Sequence, residues 1–488
     1  MQPFPDPARG PGRGPALAIA LLAVGFLISS ALAVVQYVQL QAAEDRIEEL
    51  EAADGSQGDG GLFEGFEDVF GDIFDGGGGD IFGGEGSGAL DLFECVGGLG
   101  LGGEGGGGTS VEAIAEEVER IRELRFEEVP RAEFLTGEET SERVRKLFLE
   151  EYTPEVADIE ERMLTALGAI PRGTDLRHLR AEALGGQVAG YYEPETGELV
   201  VRGSGGEVGV ADRITLAHEL DHALTDQALG IPLPDDPELG SEDANLAALA
   251  LVEGDATLVM QRYSTGLGLE EQLELLDPEA IAEAEAGLGG LPPYLQRELL
   301  FPYEQGLEFV CRLFADGGWA AVNRAYEQPP TTTAQILFPD RYPAGEAAVD
   351  PRDPRSPGKG WRELAHLQLG AANLLWLFEA PGGQQGQPAV EDPLAAAGAW
   401  GGGELVLWAR GEDTAVGVAL AERPAEDRLC TATSDWYASS FQGDIERRTQ
   451  RGGFGSDGEA QDAIVACGED EVRLGIAPDL ETAERVAA

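Results

Sequence analysis

Three residues in the run ITLAHELDHALTDQAL, Ile214 to Leu229, have the types and spacing of a metal site: His218, Glu219 and His222. On an α-helix, residues four apart lie about 40° from one another around the axis, so both imidazoles leave one face and can share an ion. Glu219 lies about 100° around from His218, near enough to polarise a water on that ion without being a ligand. The whole chain has four histidines, so composition alone does not supply this arrangement.

Two imidazoles leave such an ion short of a ligand, since a catalytic zinc takes three protein ligands and a water. Ser241 to Arg262, SEDANLAALALVEGDATLVMQR, reads as a second helix with Leu246, Leu249, Ala250, Thr257 and Met260 as its apolar stripe. Glu253 falls inside that stripe, where a carboxylate is costly unless it is paired or bound to metal. It is therefore the candidate third ligand, and Asp255 is a candidate partner for one of the ligand histidines. Two imidazoles, a carboxylate and an open position suit one Zn2+ per chain.

The elements that must position these groups carry their own signals. Asp212 is placed to cap the first helix, and Gly230, Pro232 and Pro234 stop it. Ser241 caps the second, and Gly266 lies beyond its end. Upstream, Tyr191, Tyr192 and Glu198 to Val201 alternate around a Pro-Glu-Thr-Gly turn as a hairpin. Tyr263, Tyr303 and Tyr342 are candidates for stabilising developing negative charge, and spacing does not choose among them.

HELDH followed 31 positions after His222 by Glu253 in LVEGDAT resembles the gluzincin zinc metallopeptidases. GYYEPETGELVVRG, YEQGLEFVCRLFADGGW and QPPTTTAQILFPDRY are similar to an uncharacterised bacterial and archaeal branch of that group. The resemblance covers about Ser110 to Arg341. It implies a zincin-like, mainly helical domain and a zinc peptidase with ligands His218, His222 and Glu253 and with Glu219 as general base. By analogy with zincins, the hairpin before the motif helix pairs with an extended peptide or protein substrate. A non-catalytic, zinc-containing envelope scaffold or binding protein is the alternative, and the intact Glu219 argues against it.

The chain has 488 residues with 90 acids against 33 bases, a formal charge of −57, which excludes a nucleic-acid partner. Residues 1–15 form a short tail carrying Arg9 and Arg13, and Ala16 to Val35 runs 20 residues without a charge, long enough to cross a bilayer. We expect a single transmembrane helix over 16–38, with the amino terminus cytoplasmic and the rest extracytoplasmic. Ala31-Leu32-Ala33 offers the alternative of a cleaved signal peptide; the length of the apolar run favours the anchor. A helical stalk over 39–53 and a Gly-rich, acidic, disordered linker over 54–108 would follow.

The expected class is α+β: a catalytic domain over 109–388, then a smaller α+β lobe over 389–488. In the catalytic domain Val111, Ile114, Val118 and Ile121 form one helical stripe and Val144, Leu147 and Phe148 another. Trp361 to Glu379, containing His366, reads as helical, with His366 a core or surface residue. In the lobe, Glu404–Trp408, Ala415–Ala421 and Glu471–Ile476 read as strands. Cys430 and Cys467 share that lobe and are the candidate disulfide, leaving Cys95 and Cys311. Substrate identity and oligomeric state have no signal in the sequence.

Overall fold

The computed structural model describes residues 95–96, 108–203, 208–232, 241–275, 288–380, 390–424, 426, 428–441, 444–446, 449–453, 460–468 and 470–488. The expected tail, transmembrane helix and stalk, and almost all of the linker, lie outside them. Among the described residues no helix is long and apolar enough to cross a membrane. They form thirteen α-helices and two sheets, an α+β architecture.

The first half is built in the order α1 (Val111–Arg122), β1 (Ala132–Leu135), α2 (Gly137–Glu151), α3 (Pro154–Ala166), α4 (Leu176–Gln187), β2 (Gly190–Glu193) and β3 (Glu198–Arg202). The stripe Ile114, Val118 and Ile121 buries one face of α1, while Ser110 accepts the Ala113 N–H at its start. Thr136 and Glu139 form a reciprocal capping box at the start of α2, satisfying two otherwise orphaned backbone donors. The hairpin β2–β3 forms where alternation places it, with Gly197 at φ 68° closing the turn. The strand order is β1-β3-β2, with β1 parallel to β3, so among the described residues β2 has a strand neighbour on one side only.

Next come α5 (Val210–Leu229), α6 (Glu242–Thr265), the short α7 (Leu269–Glu274), α8 (Pro293–Glu327) and α9 (Thr333–Leu337). Helix α5 starts four residues ahead of Ile214, and Asp212 is not its cap: Gly209 is, and the Asp212 carboxylate reaches back to the Gly209 N–H at 3.3 Å. Ser241 does cap α6, accepting the Ala244 N–H at 3.1 Å. The long α8 is broken at Gly317 and Gly318, the latter at φ 61°, ψ −162°, a region open essentially to glycine alone.

The second sheet has seven antiparallel strands in the order β4-β5-β6-β10-β9-β8-β7. These are β4 (Arg362–Gln368), β5 (Trp400–Arg410), β6 (Asp413–Glu422), β7 (Asp444–Glu446), β8 (Thr449–Gly453), β9 (Ala460–Cys467) and β10 (Glu471–Ala477). Helices α10 (Ala371–Glu379), α11 (Pro393–Gly398), α12 (Leu429–Phe441) and α13 (Leu480–Val486) accompany them. Two expectations change here. Residues 362–368 are a strand, not helix, because they pair with β5 at the sheet edge. The sheet also takes its first strand from before residue 388, so strand pairing crosses the expected boundary between domain and lobe.

One hydrophobic core runs through both halves. Helix α10 joins them: Leu374, Trp376, Leu377 and Phe378 are buried, and Tyr294 and Phe301 of α8 meet Trp376 edge-on at 5.4 and 5.6 Å.

Candidate metal centre

Helices α5 and α6 lie side by side, and the centre of each is buried on all sides: Arg213 to Thr225 in α5, Ala247 to Gln261 in α6. Polar groups there need partners inside the protein. His218, His222 and Glu253 find one another, their ligand atoms all within 4.8 Å. His218 Nε2 is 3.2 Å from Glu253 Oε2 and 3.0 Å from His222 Nε2, and His222 Nε2 is 3.6 Å from the same oxygen. The four side chains His218, Glu219, His222 and Glu253 are at most 1% exposed.

These separations bear on what the group can hold. Bonds of about 2.0–2.1 Å at a tetrahedral ion put neighbouring ligand atoms about 3.3 Å apart, close to the three distances observed. Two imidazole nitrogens facing each other at 3.0 Å also require a proton or a cation between them. The donor set therefore fits a divalent metal ion. Burial alone would raise the Glu253 carboxyl, but His222 and His218 outweigh it and hold it below the usual carboxylate range.

Glu219 is buried beside His218 and Glu253, each of which acts on its charge. One carboxylate oxygen, Oε2, has no hydrogen-bond partner among the described residues. The group is pushed up to about 8, first by burial and further by Glu253, against the opposing effects of His218 and the Tyr192 N–H. That N–H comes from β2, which lies directly on α5. Gly190 permits the approach, since a Cβ there would stand 2.9 Å from Thr215 Cγ2 and 3.3 Å from Glu219 Cγ.

Of the three tyrosines, Tyr303 is the one beside the site. Its fully buried ring lies 6.3 Å from the His218 ring, inclined at 31°. Tyr342 donates instead to the Gln328 carbonyl, and Tyr263 lies near Arg213, which bonds to Glu271. His366 stands apart on β4, 3.2 Å from Glu404 and 3.7 Å from Asp353. Cys430 and Cys467 form a disulfide with Cα atoms 5.8 Å apart, and Cys95 and Cys311 form a second at 5.6 Å.

Asp255 does not serve a ligand histidine. Two residues beyond Glu253 means about 200° of helix rotation, so its carboxylate leaves the opposite side of α6. There Oδ2 accepts from Arg122 Nε and Nη2 at 3.1 and 2.9 Å and from the Tyr326 hydroxyl at 2.8 Å. The Nδ1 atoms of both histidines lack a hydrogen-bond partner among the described residues. Arg122, Asp221 and Tyr326 were not singled out from the sequence. The signal for Asp221 was available: within HELDH it lies on a helix with no wet side, so it must be buried.

Comparison with protein-family models, with curated proteins and with solved structures returns no match.

Proposed function

We propose that this chain is a zinc-dependent metallopeptidase, with Zn2+ held by His218, His222 and Glu253 and with Glu219 as general base. The observation that supports the reading best is the ligand-atom triangle of 3.0, 3.2 and 3.6 Å, with Glu219 one residue from its first corner. When bound, the ion would supply Lewis acidity, lowering the pKa of a water and polarising the scissile carbonyl. The remaining chemistry belongs to the chain. A bound cation would favour the ionised form of Glu219; that carboxylate then takes a proton from the attacking water and passes it to the leaving amine, so no nucleophilic serine or cysteine is required. Tyr303, whose ring lies 6.3 Å from that of His218, is the candidate for stabilising negative charge developing there. The side of β2 that pairs with no strand among the described residues would offer its remaining backbone groups, beside the Tyr192 N–H that Glu219 takes, to an extended peptide.

We further propose an extracytoplasmic location, anchored by the apolar run over 16–38. Two disulfides among the described residues fit an oxidising compartment.

The test is zinc content together with hydrolysis of a mixed peptide library by the full chain in detergent, comparing wild type with Glu219→Gln. Zinc in both proteins and cleavage by wild type alone supports the peptidase. Equal cleavage by the variant removes Glu219 from the mechanism. The near-complete burial of the site favours a second reading, a zinc that holds the fold together. That reading requires zinc in both proteins, cleavage by neither and unfolding on chelation.

A further inference from the structure

Behind the metal centre lies a second polar cluster that the proposed reaction does not use. Arg122, at the end of α1, is 0% exposed although it carries a permanent charge. Trp319, just past the break in α8, lies over the guanidinium at 4.4 Å. Two nitrogens of Arg122 donate to Asp255 Oδ2, which also takes the Tyr326 hydroxyl. Asp221, equally buried, is attracted by Arg122 and repelled by Asp255, so it shares the same enclosure.

The sequence positions give this cluster its meaning. Asp221 is next to ligand His222, and Asp255 is two residues from ligand Glu253. One guanidinium, delivered by a helix about a hundred residues upstream, thus bonds to α6 two residues from Glu253, with Asp221 of α5 in the same buried surroundings. We propose that Arg122 is a positioning residue for the metal centre, which fixes the rotation of α6 through Asp255 and thereby aims Glu253 at the two histidines. The proposal rests on the metal-site reading above.

Magnitudes show why such a tie matters. A carboxylate about 6 Å from a helix axis moves about 2 Å when the helix turns by about 20°. Metal–ligand distances tolerate about 0.2 Å. Two donors of a planar guanidinium that lies under an indole ring converge on one oxygen of Asp255 and hold that oxygen in place.

The experiment measures metal affinity by chelator competition on the full chain, well below the unfolding temperature, with thermal unfolding alongside. Arg122→Lys keeps the buried charge but offers a point donor in place of the two converging ones. The triple variant R122M/D221N/D255N removes the buried charges together, so that none is left unpaired. We expect both to fold and both to bind Zn2+ more weakly, the lysine variant by about tenfold and the triple by up to about a hundredfold. Wild-type affinity in either folded variant overturns the proposal. Failure of both to fold assigns Arg122 to the fold alone and overturns it too. Wild type that binds no Zn2+ overturns the metal-site reading and this inference with it, an outcome distinct from a wild type that binds and variants that bind equally well.

Discussion

Gly254 and Gly306 face each other where α6 crosses α8, and neither position has room for a side chain. A Cβ on Gly254 would lie 2.2 Å from the Gly306 carbonyl carbon and oxygen, and a Cβ on Gly306 would lie 2.2 Å from the Ala250 carbonyl oxygen. The contact is backbone against backbone, so no rotamer change can relieve it. Because Gly254 follows Glu253 directly, the crossing also sets how deeply Glu253 is seated, and it brings Tyr303 on α8 beside His218.

Gly306→Ala should accordingly destabilise the protein by about 3 kcal/mol or more, at the upper end of overpacking costs. It should also weaken metal binding, because the two helices must separate. Denaturant unfolding with a metal titration checks both. Wild-type stability in this variant would mean that the crossing is looser than the geometry states.

A buried carboxylate outside the metal centre gives a pH dependence with a definite sign. Asp243, in the first turn of α6, is 2% exposed and accepts from the Thr333 N–H at 3.1 Å and the Thr333 hydroxyl at 2.5 Å. The same hydroxyl accepts the Ala372 N–H, so one side chain joins α6, α9 and α10. Burial pushes Asp243 up to about 6 despite the hydrogen bonds from Thr333. The folded protein therefore holds this proton more tightly than the unfolded chain, whose aspartates titrate near pH 3.9. The contribution is fully present below that value, falls as pH rises toward 6 and is lost above it, amounting to about 3 kcal/mol. Unfolding free energies of wild type minus Asp243→Asn between pH 4 and 7 isolate it. A difference that is flat, or that rises with pH, removes Asp243 as the cause.

Much of the site was legible because its signals are local. HExxH spacing, the Ser241 cap and an acid inside an apolar stripe each arise within one helix, and the structure brings His218, His222 and Glu253 together. The β2–β3 hairpin and the strands β5, β6 and β10 follow from alternation. What escaped depends on partners distant in sequence. Strand β1 is four residues long and exists by pairing with β3. Strand β4 looks helical until β5 lies beside it. Asp255 is assigned by Arg122, and nothing in α1 alone marks that arginine as buried rather than as an ordinary basic residue in a last turn. Where a helix is buried all round, periodicity no longer tells which polar residue faces which neighbour, and that is the condition of α5 and α6.

The approach of β2 to the motif helix is open to a test that leaves the metal ligands untouched. Gly190 lies against Thr215, Val200 and Glu219, with a built Cβ 2.9 Å from Thr215 Cγ2 and 2.9 Å from the Val200 carbonyl oxygen. An alanine there must lift β2 from α5 by some tenths of an ångström, carrying with it the Tyr192 N–H that Glu219 accepts. If Glu219 is the base and the free side of β2 aligns the substrate, Gly190→Ala should lower kcat about 10- to 100-fold and raise KM, while Zn2+ affinity stays near that of wild type. The order of effects separates this position from Arg122, where metal affinity moves first. Unchanged turnover in a folded Gly190→Ala protein would detach β2 from the chemistry and leave Gly190 as a packing residue. Loss of metal in parallel with activity would instead show that β2 supports the ligands themselves.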